Sequence, residues 1–357
     1  MNVVTEEMTG RSERQLGAEA AVLTVRAART RQRRRLLLVL VPLALALVVA
    51  FGLRVLGGDY LISLPDFFRI LGGRQIPGAS FILMESKLPR AVLGLLVGVA
   101  FGTSGAIFQS TLRNPLASPD LLGVSTGAST AAVFGIVVLG ISGPALSLAG
   151  IIGALATALA IRFIAGSTSG YRLVLVGVTA DAALLAVIQY LFTRADEYDA
   201  QLALHWMIGS LEAADWQTIA VLVACLAVLL PLVAGTLRAR RALELGPDLA
   251  TALGAGRWSS EFLLLLAVLL IAFGVAAAGP VAFVAFAAGP IARALNAGRT
   301  TLVGSALVGA VAMVASDYLG AYAIADVNLP VGVVTGAFGA PFLLWMLAAG
   351  RTGRRVS

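Results

Sequence analysis

Long apolar runs, each close to the length that crosses a bilayer, recur along the whole 357-residue chain and leave few folds open to it. A helix rises about 1.5 Å per residue, so about 20 apolar residues match the roughly 30 Å hydrocarbon core. Reading the runs between charges and Gly/Pro punctuation predicts spans near 36–56, 88–110, 121–140, 144–163, 171–193, 217–236, 260–278, 281–297, 301–319 and 331–348. The expected fold class is all-α, a polytopic integral membrane protein with about ten transmembrane helices. Composition agrees: 59% of residues are hydrophobic and 13% charged, against about 25% charged in an ordinary soluble chain. Such a chain has too little polar surface to cover a water-facing globule.

A net charge of +7 could suggest nucleic acid, but the basic residues are scattered singly between apolar runs and concentrate only in the first 35 residues. That distribution reads as topology, with no nucleic-acid partner. Arg31, Arg33, Arg34 and Arg35 precede the first span and put the N-terminus in the cytoplasm. With ten spans the chain returns inside at Arg113, Arg162, Arg172, Arg238, Arg240, Arg241, Arg257, Arg293, Arg299, Arg351, Arg354 and Arg355, so that 20 of the 26 basic residues lie inside. The acidic loop carrying Asp196, Glu197, Asp199, Glu212 and Asp215 then falls outside. An even count therefore places both termini in the cytoplasm. Residues 1–35 read as a disordered basic cytoplasmic tail without the apolar stretch of a signal peptide, 36–350 as the membrane domain, and 351–357 as a second cytoplasmic tail. Cys225 and His205 are each the sole residue of their kind, which excludes disulfides and a histidine-rich metal site.

Three stretches are more specific. Lys87-Leu88-Pro89-Arg90, Gly105-Ala106-Ile107-Phe108-Gln109 and the run from Arg113-Asn114-Pro115 through Ser118-Pro119-Asp120 to Gly123-Val124-Ser125 follow one another. Near the end stand Leu329-Pro330-Val331-Gly332 and Gly339-Ala340-Pro341-Phe342, and between them Trp206, Gly209-Ser210-Leu211 and Gly279-Pro280. Over about residues 36 to 350 this order resembles the membrane permease of binding-protein-dependent ABC importers for iron-siderophores, haem and vitamin B12. The resemblance implies a bacterial cell-membrane protein. It also implies two cytoplasmic ABC ATPase subunits, an external substrate-binding protein, and a second permease subunit that is identical or homologous. The chain has no Gly-x-x-x-x-Gly-Lys-Ser/Thr loop, so ATP and Mg belong to the partner ATPase, this chain holds no cofactor, and it is not an enzyme.

The residues also make sense without the family. Asn114-Pro115 starts a tight connection, and Pro119-Asp120 precedes a helix whose amides Asp can cap. Residues 242–255 are too polar and short for a span and predict a short helix, a break at Gly246-Pro247 and a second helix with Leu249, Ala252 and Leu253 on one face. In the resembling family this interval forms the coupling helices that dock on the ATPase, which implicates Leu243, Leu245, Gly246, Pro247, Leu249, Ala252, Leu253 and Gly254; a plain amphipathic loop at the membrane surface is the other reading. Lys87, the chain's one lysine, and Arg90 suit interfacial anchors that snorkel to water, while the resemblance implies that they dock the binding protein. A third basic residue of the family is replaced by Ala321, and its Pro-His by Gly289-Pro290.

Asn114, Pro115, Asp181, Asp317, Pro330 and Pro341 are structural or gate candidates. Asp181 falls mid-span, where a carboxylate needs a partner or water. The resemblance implies that Asp317 holds helices or an external gate together. No metal site is expected. The carboxylates are separated, and ferric iron, which favours oxygen-rich coordination, arrives already held by its chelator. Gln109, Ser110, Ser125 and Thr126 are candidates to line a pathway. The expected activity is import of an iron(III)-siderophore, with haem or vitamin B12 import by the same architecture, or an ion-driven secondary transporter, as the alternatives.

Overall fold

The computed structural model describes residues 2–166, 170–255, 257–323 and 327–352, and the regular elements among them are helical. The last predicted tail lies outside the described residues from 353 onward. Two compact units are present, Met1–Pro42 and Leu43–Ser357. Helix α1 spans Asn2–Leu56, so the stretch read from sequence as a disordered tail is helical from Asn2 onward. Its Ala, Arg, Gln and Leu residues are strong helix formers, and no proline interrupts it before Pro42.

In the second unit, α2 (Leu64–Leu71) is a short amphipathic helix capped by Ser63, whose hydroxyl accepts from the Asp66 amide. Helix α3 (Ala79–Phe81) passes through a π-helical turn, Ile82–Lys87, into α4 (Leu88–Thr111). The second span therefore starts at Ala79 rather than at residue 88. There follow α5 (Val124–Val137), α6 (Pro144–Ala165), α7 (Gly170–Phe192), α8 (Glu197–Ile208) and α9 (Trp216–Gly235). The short pieces α10 (Leu237–Glu244) and α11 (Pro247–Ala252) precede α12 (Arg257–Ala278), α13 (Val284–Leu295), α14 (Leu302–Tyr322) and α15 (Val331–Thr352).

Among the described residues seven helices are long and apolar enough to cross a membrane, not ten. The other three expected spans appear as the shorter apolar helices Val124–Val137 and Val284–Leu295 and as the apolar stretch Val331–Met346 within the 22-residue α15. Backbone geometry cuts two of them short. A left-handed Gly123 separates α5 from the 3-10 turn Asp120–Leu122, and a left-handed Phe283 precedes α13. The chain is a multi-pass, all-α membrane protein.

Helix α4 is the axis of the second unit, packed along α14, α12 and α13. Its small residues explain how. A Cβ on Gly98 would collide with Gly309 and Ala310, one on Gly102 with the Ser305 carbonyl, and one on Gly105 with the Ala285 carbonyl. No hydrophobic force drives helices together in lipid, so close backbone contact and dispersion hold this seam. Ser104 adds a bond from its hydroxyl to the Ala267 carbonyl at 2.6 Å.

Candidate functional site

Helix α4 runs from an end marked by Lys87 to an end marked by Arg113. At the Lys87 end, α1, α4 and α14 converge on one buried carboxylate. Arg54 Nε donates to Asp317 Oδ2 at 2.5 Å and Arg90 Nε donates to Asp317 Oδ1 at 2.8 Å. Arg54 is 2% exposed and Asp317 1%. Arg90 also lies 4.0 Å from Glu212, whose carboxylate accepts from the Asn328 amide. Lys87 is 4% exposed and donates to the carbonyls of Tyr60, at 2.6 Å, and Gly57. Its ammonium thereby fastens the 57–60 loop to the head of α4. The Tyr322 ring sits 5.9 Å from the Arg54 guanidinium carbon. A polar cavity of about 700 Å³ opens beside these groups, lined by Arg54, Asp59, Lys87, Arg90, Ala321 and Tyr322 among others.

Deeper from this end, three separate sequence motifs meet. Ser210 donates its amide to the Ala278 carbonyl at 2.8 Å, and Gly332 donates to the Gly209 carbonyl at 3.3 Å. Gly209 and Gly279 both take positive φ, 76° and 72°. A side chain on Gly209 would strike the Pro280 carbonyl, one on Gly279 the Trp206 carbonyl, and one on Gly332 the Ile208 carbonyl. Only glycine permits three turns to cross so closely.

At the Arg113 end the chain turns twice. Asn114 Oδ1 accepts from the Leu116 amide at 3.0 Å, the side-chain turn that asparagine favours. Asp120 does not cap a backbone amide; its Oδ1 accepts from the Ser125 hydroxyl at 2.6 Å instead. Burial raises the Asp120 carboxyl from its ordinary 3.8 to about 6, opposed by the Ser125 bond and reinforced by the nearby Asp181 charge. Asp181, on α7, accepts from the Thr126 hydroxyl on α5 and packs its backbone against Gly123. Beside this corner, α10 and α11 form the helix–break–helix expected over 242–255, although α10 begins earlier, at Leu237. The break is Gly246, with φ 111°, and Pro247 opens α11 where a missing amide costs nothing. Arg240 is buried and pairs with Glu244 at 2.7 Å, fixing α10. Ala250 faces inward, whereas Leu245, Leu249 and Leu253 are 60%, 56% and 65% exposed. Gly254 and Ala252 are also exposed.

The FecCD transport family matches residues 43–349 of this sequence. The chain belongs to that family. It is 35% identical over 301 residues to the ferric enterobactin transport permease of Escherichia coli strain K12, covering 83% of this chain and 91% of that one. The Fe(3+) dicitrate transport permease of the same strain is 37% identical over 272 residues, covering 75% and 85%. A vitamin B12 import permease of Citrobacter koseri is 33% identical over 312 residues, covering 85% and 92%. Among solved structures, a metal-chelate type ABC transporter in an inward-facing conformation superposes with a TM-score of 0.74 at 25% identity, covering 87% of this chain and 98% of that one. As a FecCD permease subunit the chain performs transport, not catalysis.

Within this FecCD chain the structure brings some of the sequence candidates together and separates others. Arg90 and Asp317 are partners, while Lys87 is a buried brace and not a free surface cation. Asn114, Pro115 and Asp181 share the Arg113 end with α10 and α11. Pro330 immediately precedes α15, and Pro341 lies inside it. Gln109 and Ser110 are buried, with the Gln109 amide donating to the Phe286 carbonyl at 2.9 Å. At the departure Gly289-Pro290, a Cβ on Gly289 would fall on the Gln109 side-chain oxygen. Ser125 and Thr126 are tied to Asp120 and Asp181. Arg54 went unremarked in the sequence, although an arginine inside a predicted span is itself a functional signal. The Arg162–Glu261 pair between α6 and α12, with Nε to Oε2 at 2.6 Å, also escaped notice because Arg162 served only to set topology. Among the described residues, no group of three or more His, Cys, Asp or Glu could hold a metal ion.

Proposed function

We propose that this chain is the membrane subunit through which an ATP-driven importer passes an iron(III)-siderophore. The observation that carries the reading is the set of exposed leucines Leu245, Leu249 and Leu253 on and beside α11, presented next to the internally paired α10 in a chain of the FecCD family. Two of the relatives are named for transport of ferric enterobactin and Fe(3+) dicitrate, which favours an iron chelate. Vitamin B12 is the second reading, supported by the similarity to the vitamin B12 permease.

In this scheme the Arg113 end faces the cytoplasm and the Lys87 end faces outward, as the arginine distribution requires. All ten apolar helices cross the bacterial cell membrane, with both termini inside. Leu243, Leu245, Gly246, Pro247, Leu249, Ala252, Leu253 and Gly254 form the piece that seats on one of two cytoplasmic ATPase subunits, which bind the ATP and Mg. Closure of those subunits pushes α10 and α11, and the braced corner passes the motion into α5 and α7. The external binding protein docks on the outward end over a surface that Lys87 and Arg90 hold in shape from beneath. A second permease subunit, identical or homologous, completes the pathway.

The test is co-purification and uptake. Wild-type protein should retain an ABC ATPase and support ATP-dependent uptake of radio-iron as a siderophore chelate. Leu249→Asp should leave folding unchanged, because the side chain is exposed, yet lose both. Uptake that persists in Leu249→Asp without any ATPase would sink the importer reading and make an ion-driven transporter the answer.

A further inference from the structure

A second cavity, apolar where the one at the Lys87 end is polar, opens at the Arg113 end between α6, α7 and α12. Its volume, about 370 Å³, falls within the about 300–1,000 Å³ typical of small-molecule sites. Phe108, Leu122 and Leu173 are buried at its floor, whereas Leu159 of α6 and Phe262 and Leu265 of α12 are exposed at its mouth. The charged residues of the lining are Arg162 and Glu261, which face each other across one end, with Arg162 Nε donating to Glu261 Oε2 at 2.6 Å. The pair neutralises itself, so the lining offers no unbalanced charge to an ion. Apolar cavities of this kind exclude water and take apolar guests.

We infer that this cavity binds one bilayer phospholipid, with an acyl chain in the groove between α6 and α12 and the phosphodiester at Arg162. The surroundings favour that occupant. Helices α6, α7 and α12 are each long and apolar enough to cross a membrane, so a mouth between them opens onto hydrocarbon. The length fits as well: from Trp258 to Val268, both on the lining, α12 rises about 15 Å, half the roughly 30 Å hydrocarbon core and hence the depth of one leaflet. Trp258 and Tyr171, 87% and 79% exposed, stand at the charged end, as tryptophan and tyrosine do at headgroup level. The ion pair is open to a headgroup, its side chains 26% and 22% exposed. Glu261 and the Gly166 carbonyl take three of the five N–H donors that a guanidinium carries, leaving donors for a phosphate oxygen, whose charge-assisted bonds are about twice as strong as neutral ones. With the Arg113 end in the cytoplasm the lipid comes from the inner leaflet; that placement rests on the importer reading, the binding itself does not.

The experiment uses the full-length chain purified in mild detergent. Native mass spectrometry counts the phospholipid each chain retains, and a phosphatidylglycerol with a photoreactive diazirine on its acyl chain maps where the tail lies. Wild type should keep one phospholipid through washing, and photolabelling should concentrate on residues 155–162 and 258–268. Ala158→Phe, on the lining, puts a ring into the cavity and should lose the lipid, whereas Ala160→Phe, exposed and off the lining, should keep it. Arg162→Gln combined with Glu261→Gln removes the pair without stranding a charge and should weaken retention about tenfold. Photolabelling needs no variant, so it decides the matter even if Ala158→Phe fails to fold. No retained phospholipid in wild type, labelling no denser there than at exposed Val221 and Val228 of α9, equal retention in Ala158→Phe and wild type, or unchanged retention in the double variant overturns the inference. Cross-linking of a diazirine side chain at position 159 to a second copy of the chain, in place of lipid, makes the groove a subunit interface and overturns it too. None of these readouts involves transport, so the importer reading can fail without affecting them.

Discussion

Asp317 is the residue on which most electrostatic work at the Lys87 end depends. Its single negative charge is shared between two guanidinium groups contributed by α1 and α4, and all three side chains are largely shut from water. Removing one partner of a buried ion pair costs about 3–5 kcal/mol, because the remaining charge cannot be solvated where it stands. Asp317→Asn should therefore unfold at a clearly lower temperature in detergent, whereas Asp59→Asn on the cavity rim should shift it little. A second residue-scale expectation concerns Asp120. Its folded carboxyl titrates near 6 against an ordinary 3.8, so the folded state binds more protons than the unfolded one between these values. Stability from this group is full below about 3.8 and falls as pH rises through about 6. Unfolding temperatures followed across that window should decline in wild type and lose that component in Asp120→Asn. Sequence alone made Arg90 and Asp317 visible, since charges near span ends stand out against apolar surroundings. Their pairing with Arg54, 263 positions from Asp317, was not legible, because nothing in local pattern encodes which helices become neighbours.

Among the elements, α4 shows most directly how composition becomes packing. Its glycines recur roughly once per turn, and the face they create admits the backbones of α13 and α14. Gly102→Val would force two branched methyl groups into the Ser305 carbonyl. Overpacking of this kind costs about 1–3 kcal/mol where neighbours can shift, and backbone atoms shift less readily than side chains. The variant should show reduced yield and a lowered unfolding temperature, while Gly52→Val on α1, where nothing lies within 4 Å of the added atom, should behave as wild type. The small-residue pattern was readable in advance as a tight bundle, but not the identity of the helices that use it. For α10 and α11 the sequence was more informative. Gly246-Pro247 terminates one helix and starts the next by backbone chemistry alone, and the exposed leucines follow from their spacing. By contrast, the crossing of Gly209, Gly279 and Gly332 joins three motifs that are distant in the chain, so each could be read singly as a turn and none as part of a junction.

At the scale of the molecule, helix length and charge distribution bear together on how many times the chain passes through the bilayer. Length alone counts seven helices, an odd number that would set the termini on opposite sides and break the agreement of the arginines with one face. The conflict resolves if the irregular segments beside α5 and α13 extend those two across the bilayer and α15, 22 residues long, also crosses. Non-helical backbone is tolerated at membrane depth where protein covers it, and that condition is met: the turn before α13 is locked between Trp206 and Gly209, and the start of α15 is bonded to Gly209 and Gly320. Helix α13, at 12 residues, is about 18 Å long, so a passage there would need the Gly279–Phe283 turn as well. The hydropathic runs predict ten passages because they register apolar length, whereas α5 and α13 are shorter than those runs because left-handed Gly123 and Phe283 stop the helix. Single cysteines placed at residues 140 and 114 in a Cys225→Ser background make this decisive for α5. Labelling of intact and inverted vesicles with an impermeant maleimide should modify 140 only from outside and 114 only from inside; modification of both from the same side would make α5 re-entrant and reduce the number of passages.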